Sequence, residues 1–333
     1  MDALGIVTLI GADEMNLVVG RLARSPYTKY LPLLGAYTVA GNSITKPLPG
    51  FAAYNITDRI MATDVTGWFG RWLMKQDLSS TSTWINISVS KKRTERHARA
   101  EFASALIGLL TMGPPLTLAV LIYDWWGLAN YVSMIVSVLV RLIVVEENWK
   151  ALDTAADGAI VKTAQPVKTF WTLPDGNAVT IIAPRGVIMD CLLTTPRPPN
   201  LHLYNAARGL GWAAFAVHCV SLGMATLVSQ ILTVVLLLGS TILVARKFLD
   251  DDLHVGRRLQ FQRTDFPGKE FRSAALARLN LTSDEERSMV AWNLFPHLSN
   301  ELWWERYHKC KKDYGVEGFK RWDQIMAERT DLV

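Results

Sequence analysis

Cysteine is scarce in this chain. Cys191, Cys219 and Cys310 are too few and too scattered across 333 residues for a disulfide framework or a cysteine-based zinc site. Catalytic signatures are missing too. There is no Walker lysine motif, no G-x-S-x-G elbow and no H-E-x-x-H, and the six histidines show no ligand-like pairing. Gly209-Leu-Gly211-Trp has the look of a dinucleotide loop, but it opens an apolar tract with no strand before it. No metal and no cofactor is therefore expected. The net charge of +5 includes no basic run of the kind that grips nucleic acid. The opening MDALGIVTLIGADEMN lacks a basic leader, and Asp13 and Glu14 interrupt its apolar stretch. A cleavable signal peptide is not expected, and the first spanning helix would act as the internal targeting signal.

Charge is nearly absent from two stretches, residues 102–145 and 209–245. Each is about twice the ~20 residues that cross a bilayer as a helix. Each reads as a helical hairpin, which gives four transmembrane helices. The fold class expected is mainly α and membrane-embedded, with a small cytosolic β-meander and helical N- and C-terminal segments. The expected domains are a cytosolic or interfacial region 1–101, hairpins at 102–147 and 207–247, a cytosolic loop 148–206 and a cytosolic tail 248–333. Trp125, Trp126, Trp149 and Trp212 flank the tracts and suit the aromatic belt at a membrane interface. KKRTERHAR at 91–99 lies directly before the first span, and this positive-inside signal predicts a cytosolic start and both termini cytosolic. The sequons at Asn55, Asn86 and Asn280 would then stay unmodified.

Outside the spans the pattern is that of a water-facing protein. Met61, Val65, Trp68, Phe69 and Trp72 recur at helical spacing, with Arg59, Asp64, Arg71 and Lys75 opposite. They predict an amphipathic helix over 58–76, lying on the membrane or covering a small core. A polar linker follows over 79–90. Runs 167–173, 178–183 and 187–194, separated by Pro-Asp-Gly-Asn and Pro-Arg-Gly, predict three short strands. In the tail, 279–295 and 299–314 read as helices, the first capped by Thr282 or Ser283.

Within the spans, Asn130, Ser133, Ser137 and Arg141 share one helical face and should face other helices, because polar groups in hydrocarbon find partners across interfaces. Glu146 and Glu147 are the expected ion-pair partners of Arg141. Gly113-Pro114-Pro115 predicts a kink or break in the first span. His218 is the ionisable group well inside the second tract, where helix packing is favoured over proton transfer. The turn of that tract is expected at Ser229-Gln230. Asp153 with Asp157, and Asp250, Asp251 and Asp252, follow the ends of spans and offer a weak candidate for holding Mg²⁺ and a diphosphate. Solvated helix ends explain them better.

The block Tyr123-Asp-Trp-Trp-Gly-Leu-Ala-Asn130, continued by Val136-Ser-Val-Leu-Val-Arg141 and Lys150-Ala-Leu-Asp153, resembles uncharacterised multi-spanning membrane proteins of filamentous fungi. The similarity extends to Asp58-Arg-Ile-Met61 and to Ile188–Cys191. It implies a fungal source and a shared architecture, and no activity or catalytic residue comes with it. The function expected is non-enzymatic: a membrane scaffold, or a protein that binds lipid, a membrane partner or its own copy. An enzyme of lipid or secondary-metabolite chemistry, and an oligomeric transporter or channel, are the alternatives.

Overall fold

The computed structural model describes residues 3–76, 78, 83–90, 98–163, 165–246, 251–265 and 276–312. Helix dominates, at 59%, and accompanies an eight-stranded sheet. Among the described residues three helices are long and apolar enough to cross a membrane: α4 (Ala98–Leu121), α5 (Trp125–Lys162) and α8 (Leu227–Ala245). The 24-residue α7 (Leu201–Met224) runs against α5 and is not among the three. Asn205, Arg208 and His218 lower its hydropathy.

Helix α5 unites the molecule. Its 38 residues extend about 57 Å at ~1.5 Å per residue, nearly twice a hydrocarbon core. Val132 and Leu139 in its first half are exposed, whereas Leu152, Ala156 and Ala159 near its end are buried in the sheet's core. Helix α1 (Ala3–Gly20) packs on α8 and on α3 (Gly67–Met74), and the short α2 (Ala36–Ala40) packs on α7 and α5.

The sheet gathers strands from three separate parts of the chain. Strands β1 (Ala23–Arg24), β2 (Ala52–Asn55), β3 (Ile60–Ala62) and β4 (Thr83–Val89) precede α4. The hairpin β5 (Pro166–Thr172) and β6 (Ala178–Pro184) lies between α5 and α7, and β7 (Asp251–Val255) and β8 (Leu259–Asp265) follow α8. Their order is β1-β7-β8-β4-β6-β5-β2-β3, with only the β4–β6 pair parallel. Every residue of β6 is buried, as expected of a central strand covered on both faces. Ile85, Ile87, Val179 and Ile181 face α3 and the end of α5. Trp84, Phe170 and Ile182 face the other way, onto α9 (Ser283–Ala291) and the helix at 301–312.

Several expectations are corrected. The helix expected over 58–76 is confined to Gly67–Met74, because Ile60–Ala62 pairs with β2 as an edge strand. Its aromatic face packs inside the protein: Phe69 lies 5.1 Å from Trp171 and Trp72 lies 4.3 Å from Phe261, ring centre to ring centre. Burial in the sheet's core has taken the place of a membrane surface. The polar linker expected over 79–90 contains β4, paired with β6 and β8, where neighbours on both sides supply the burial that its Ser/Thr-rich flanks conceal.

The third strand of the expected meander is helical, α6 (Arg185–Val187) running into a π-helical turn at Ile188–Leu193. Val187, Ile188, Cys191 and Leu192 recur at helical spacing and bury against α5. The β-branched composition of the run masked that period. The second tract turns at Ala225-Thr226, not Ser229-Gln230, because Thr226 caps α8 by accepting from Ser229 N. Helix α4 continues through Pro114 and Pro115 without a break. In the tail the first helix is shorter than expected, at Ser283–Ala291, with Thr282 making a full capping box with Glu285, and the second begins at Glu301, residues 313 and 314 lying outside the described residues. Most of the basic run (91–97) and Asp250 lie outside the described residues.

Cys191, within this helical turn, is fully buried. Burial, and then the charges of Asp190 and Asp153, push its pKa up from 9.0 to about 12. Maleimide labels the thiolate, so Cys191 is expected to stay unlabelled in native protein and to label after denaturation, as read by peptide mass mapping. Native labelling at neutral pH would show that this core opens.

Candidate functional site: a cavity at the foot of the helices

Arg141 is 17 residues beyond Asp124, hence about 25 Å along α5 at ~1.5 Å per residue. It is 8% exposed, and its Nη2 donates to the carbonyls of Lys29 and Leu31 at 2.7 and 2.8 Å. Those carbonyls belong to the irregular segment 25–34. Lys29 of that segment pairs with Glu101 on α4, Ser104 Oγ donates to Tyr27 O, and Leu34 N donates to Thr241 Oγ1 on α8. Gly108 admits the segment to α4: a Cβ there would stand 2.6 Å from Tyr30 Cβ.

Glu146 and Glu147, expected to pair with Arg141, are engaged elsewhere. Glu146 pairs with Arg257 at the β7–β8 turn. Glu147 holds Lys150 at 2.7 Å and accepts from Asn200 N. Among the described residues no carboxylate comes within ion-pair reach of Arg141, and its Nε and Nη1 have no hydrogen-bond partner. An arginine this buried without a counter-charge carries a desolvation cost of several kcal/mol.

Two cavities meet at this side chain. The larger, about 400 Å³, opens between α1, segment 25–34 and α5; Val18, Leu33, Val145 and Val244 are among its apolar lining, and Lys29, Arg141 and Glu146 are the ionic side chains that line it. Trp149 is in its wall and donates from Nε1 to Leu22 O at 2.8 Å, so this ring is fixed by the protein and is not a free interfacial anchor. The smaller cavity, about 50 Å³, lies on the other side of Arg141 and Leu33, among Met15, Ser137, Phe215 and His218. His218 Nδ1 is buried without a hydrogen-bond partner among the described residues. Sequence reasoning found Arg141 and His218 separately. Their meeting depends on segment 25–34, which has no periodic signal.

No family model, curated protein or solved structure matches this chain.

Of the remaining candidates, Ser137 lines the smaller cavity and the others lie outside both. Asn130 is buried and donates to Thr233 Oγ1 on α8 at 2.8 Å, while Ser133 and Ser137 donate to carbonyls of their own helix. Trp125 and Trp126 are exposed beside the α4–α5 turn, and Trp212 is exposed on α7 near Phe215. Three of the carboxylates considered for a diphosphate are taken up by arginine and backbone donors. Asp157 pairs with Arg258, Asp153 accepts from Arg257 N at 2.9 Å, and Asp252 binds Arg21 at 2.6 Å. Asp251 is in β7. Among the described residues no group of three metal-ligating side chains occurs. Arg257 and Arg258 were missed because their role depends on the β7–β8 turn meeting α5.

Proposed function

We propose that this chain is a four-span membrane protein that binds an amphiphile in the cavity beside Arg141, with its sheet on the cytosolic side. The observation that carries the binding reading is the ~400 Å³ space, lined mainly by apolar side chains together with Lys29, Arg141 and Glu146, at the foot of apolar helices. The topology is supported by the origin of the strands. Those before α4, between α5 and α7, and after α8 join one sheet, so each helix pair must leave and return to the same side. If α8 crosses a bilayer, α7 crosses with it. Leu210, Val217, Val220 and Met224 of α7 are exposed, as lipid-facing side chains would be.

The sequons support a cytosolic sheet. Asn86 lies in β4 between two strands, and Asn55 is 6% exposed and hydrogen-bonded to Asp58. Glycans added to a lumenal chain before it folds would block both positions.

Native mass spectrometry of protein taken from membranes in mild detergent tests the binding reading. A retained amphiphile is expected in the unmodified chain. Ser25→Trp, at the half-buried rim of the cavity, is expected to reduce its occupancy several-fold with little effect on folding. Equal occupancy in the two proteins would locate the ligand elsewhere, and no retained amphiphile in either would remove the reading.

A further inference from the structure

We infer that the ligand of this cavity is an acidic amphiphile whose anionic oxygen sits on the Arg141 guanidinium. The inference rests on the amphiphile reading above and adds the charge of the headgroup.

Three observations lead to it. First, the other ionic groups that line the cavity are already neutralised, Lys29 by Glu101 and Glu146 by Arg257. Second, Arg141 is nine-tenths buried, and its protein partners are two backbone carbonyls bound to one nitrogen. Its Nε and Nη1 are left to donate, and Arg141 itself lines both cavities. A carbonyl carries only a partial negative charge, so the site retains a positive charge that an anionic oxygen would balance. Third, the position suits a headgroup. If the Asp124 turn lies at one face of a ~30 Å hydrocarbon core, Arg141, about 25 Å further along α5, lies near the opposite face. Val18, Leu33 and Val244 then offer the apolar surface for a chain.

A neutral amphiphile would fill the same walls and leave the guanidinium without a counter-charge. An inorganic anion would balance the charge and leave the walls wet. Only a molecule with both parts satisfies the cavity.

The test is equilibrium binding of tritiated oleate and tritiated oleyl alcohol to the full chain in nanodiscs of neutral lipid, with lysophosphatidic acid, monoolein and inorganic phosphate as competitors. Oleate is expected to bind at least tenfold more tightly than oleyl alcohol. Displacement of oleate by lysophosphatidic acid would place a phosphate headgroup in the same class, and failure to displace it would restrict the class to carboxylates. Arg141→Gln is expected to bring oleate and its alcohol to within twofold of each other.

Equal binding of acid and alcohol to the unmodified chain would overturn the charge assignment and leave the amphiphile reading intact. No binding of either, with no retained lipid, would remove both. Displacement of oleate by inorganic phosphate at an equal concentration would show that the chain contributes nothing, which also overturns the proposal. The acid-to-alcohol comparison on the unmodified chain decides the matter even if Arg141→Gln fails to fold.

Discussion

Arg71→Leu is expected to lower the unfolding free energy by about 3–5 kcal/mol, the order reached when several buried acceptors lose a charged donor together. The guanidinium is 1% exposed and binds four acceptors. Nε donates to Asn16 Oδ1 at 3.1 Å, Nη1 to the carbonyls of Lys46 and Gly67, and Nη2 to that of Ser43, the last three at 2.7 Å. One side chain thus ties α1, α3 and the loop at 43–46, joining the helical part to the sheet's core. The backbone closes tightly around it. A Cβ on Gly20 would lie 2.4 Å from Arg71 Cδ, and one on Gly67 would lie 2.5 Å from the carbonyl oxygens of Lys46 and Thr45. Gly67→Ala should therefore destabilise in the same direction while Arg71 remains in place. Arg71→Lys, with a compact ammonium in place of the fork, should fall between the leucine variant and the unmodified chain. Thermal unfolding in detergent checks the ranking, and a leucine variant melting within a degree or two of the parent would show that the tie is dispensable.

Arg71 also shows how far the sequence could be read. The helical period around Trp68, Phe69 and Trp72 was legible, and it put Arg71 on the polar face. A small helix lying on water or lipid would leave that face wet. Here α1 and the loop at 43–46 cover it, and nothing local announces a cover made from 20 to 55 residues away. Long apolar runs are legible because length and composition alone decide them, which is why α4, α5 and α8 were found. The sheet was mostly hidden, since its strands are short and come from three regions. The β5–β6 hairpin, marked by Pro-Asp-Gly-Asn and by Gly176 at φ 83°, carried its own turn signal. Of the candidate site, Arg141 and His218 stood out because ionisable groups inside apolar runs are rare. Their shared cavity did not, because segment 25–34 takes its shape from bonds to α4, α5 and α8.

Asp124→Ala should loosen the opposite end of the helices, by about 2–4 kcal/mol, as expected for the joint loss of a helix cap and of hydrogen bonds to a buried carboxylate. Asp124 accepts from Gly127 N at 2.9 Å, which caps α5. It also accepts from Thr226 N at 3.0 Å and Thr226 Oγ1 at 2.7 Å, in the turn between α7 and α8. One carboxylate therefore fastens the two interhelical turns. Burial opposes its charge, but hydrogen bonds from Ser229, Gly127 and Thr226 outweigh that and hold its pKa down from 3.8 to about 2. The sign follows from the depression. The charged form is favoured in the folded state, so its stabilisation is complete above about pH 3.8 and is lost as pH falls toward about 2. Amide exchange at residues 122–127 and 224–229 should rise across that window in the parent and be raised already at pH 7 in Asp124→Ala. Thr226→Val removes the hydroxyl donor and keeps the backbone one, so alone it should cost less than Asp124→Ala. Added to Asp124→Ala it should cost less than it does alone, because the bond to the carboxylate has already gone and only the cap on Ser229 N remains to be lost. Fully additive losses would mean that Thr226 acts through that cap alone and that the two turns are not fastened through this carboxylate.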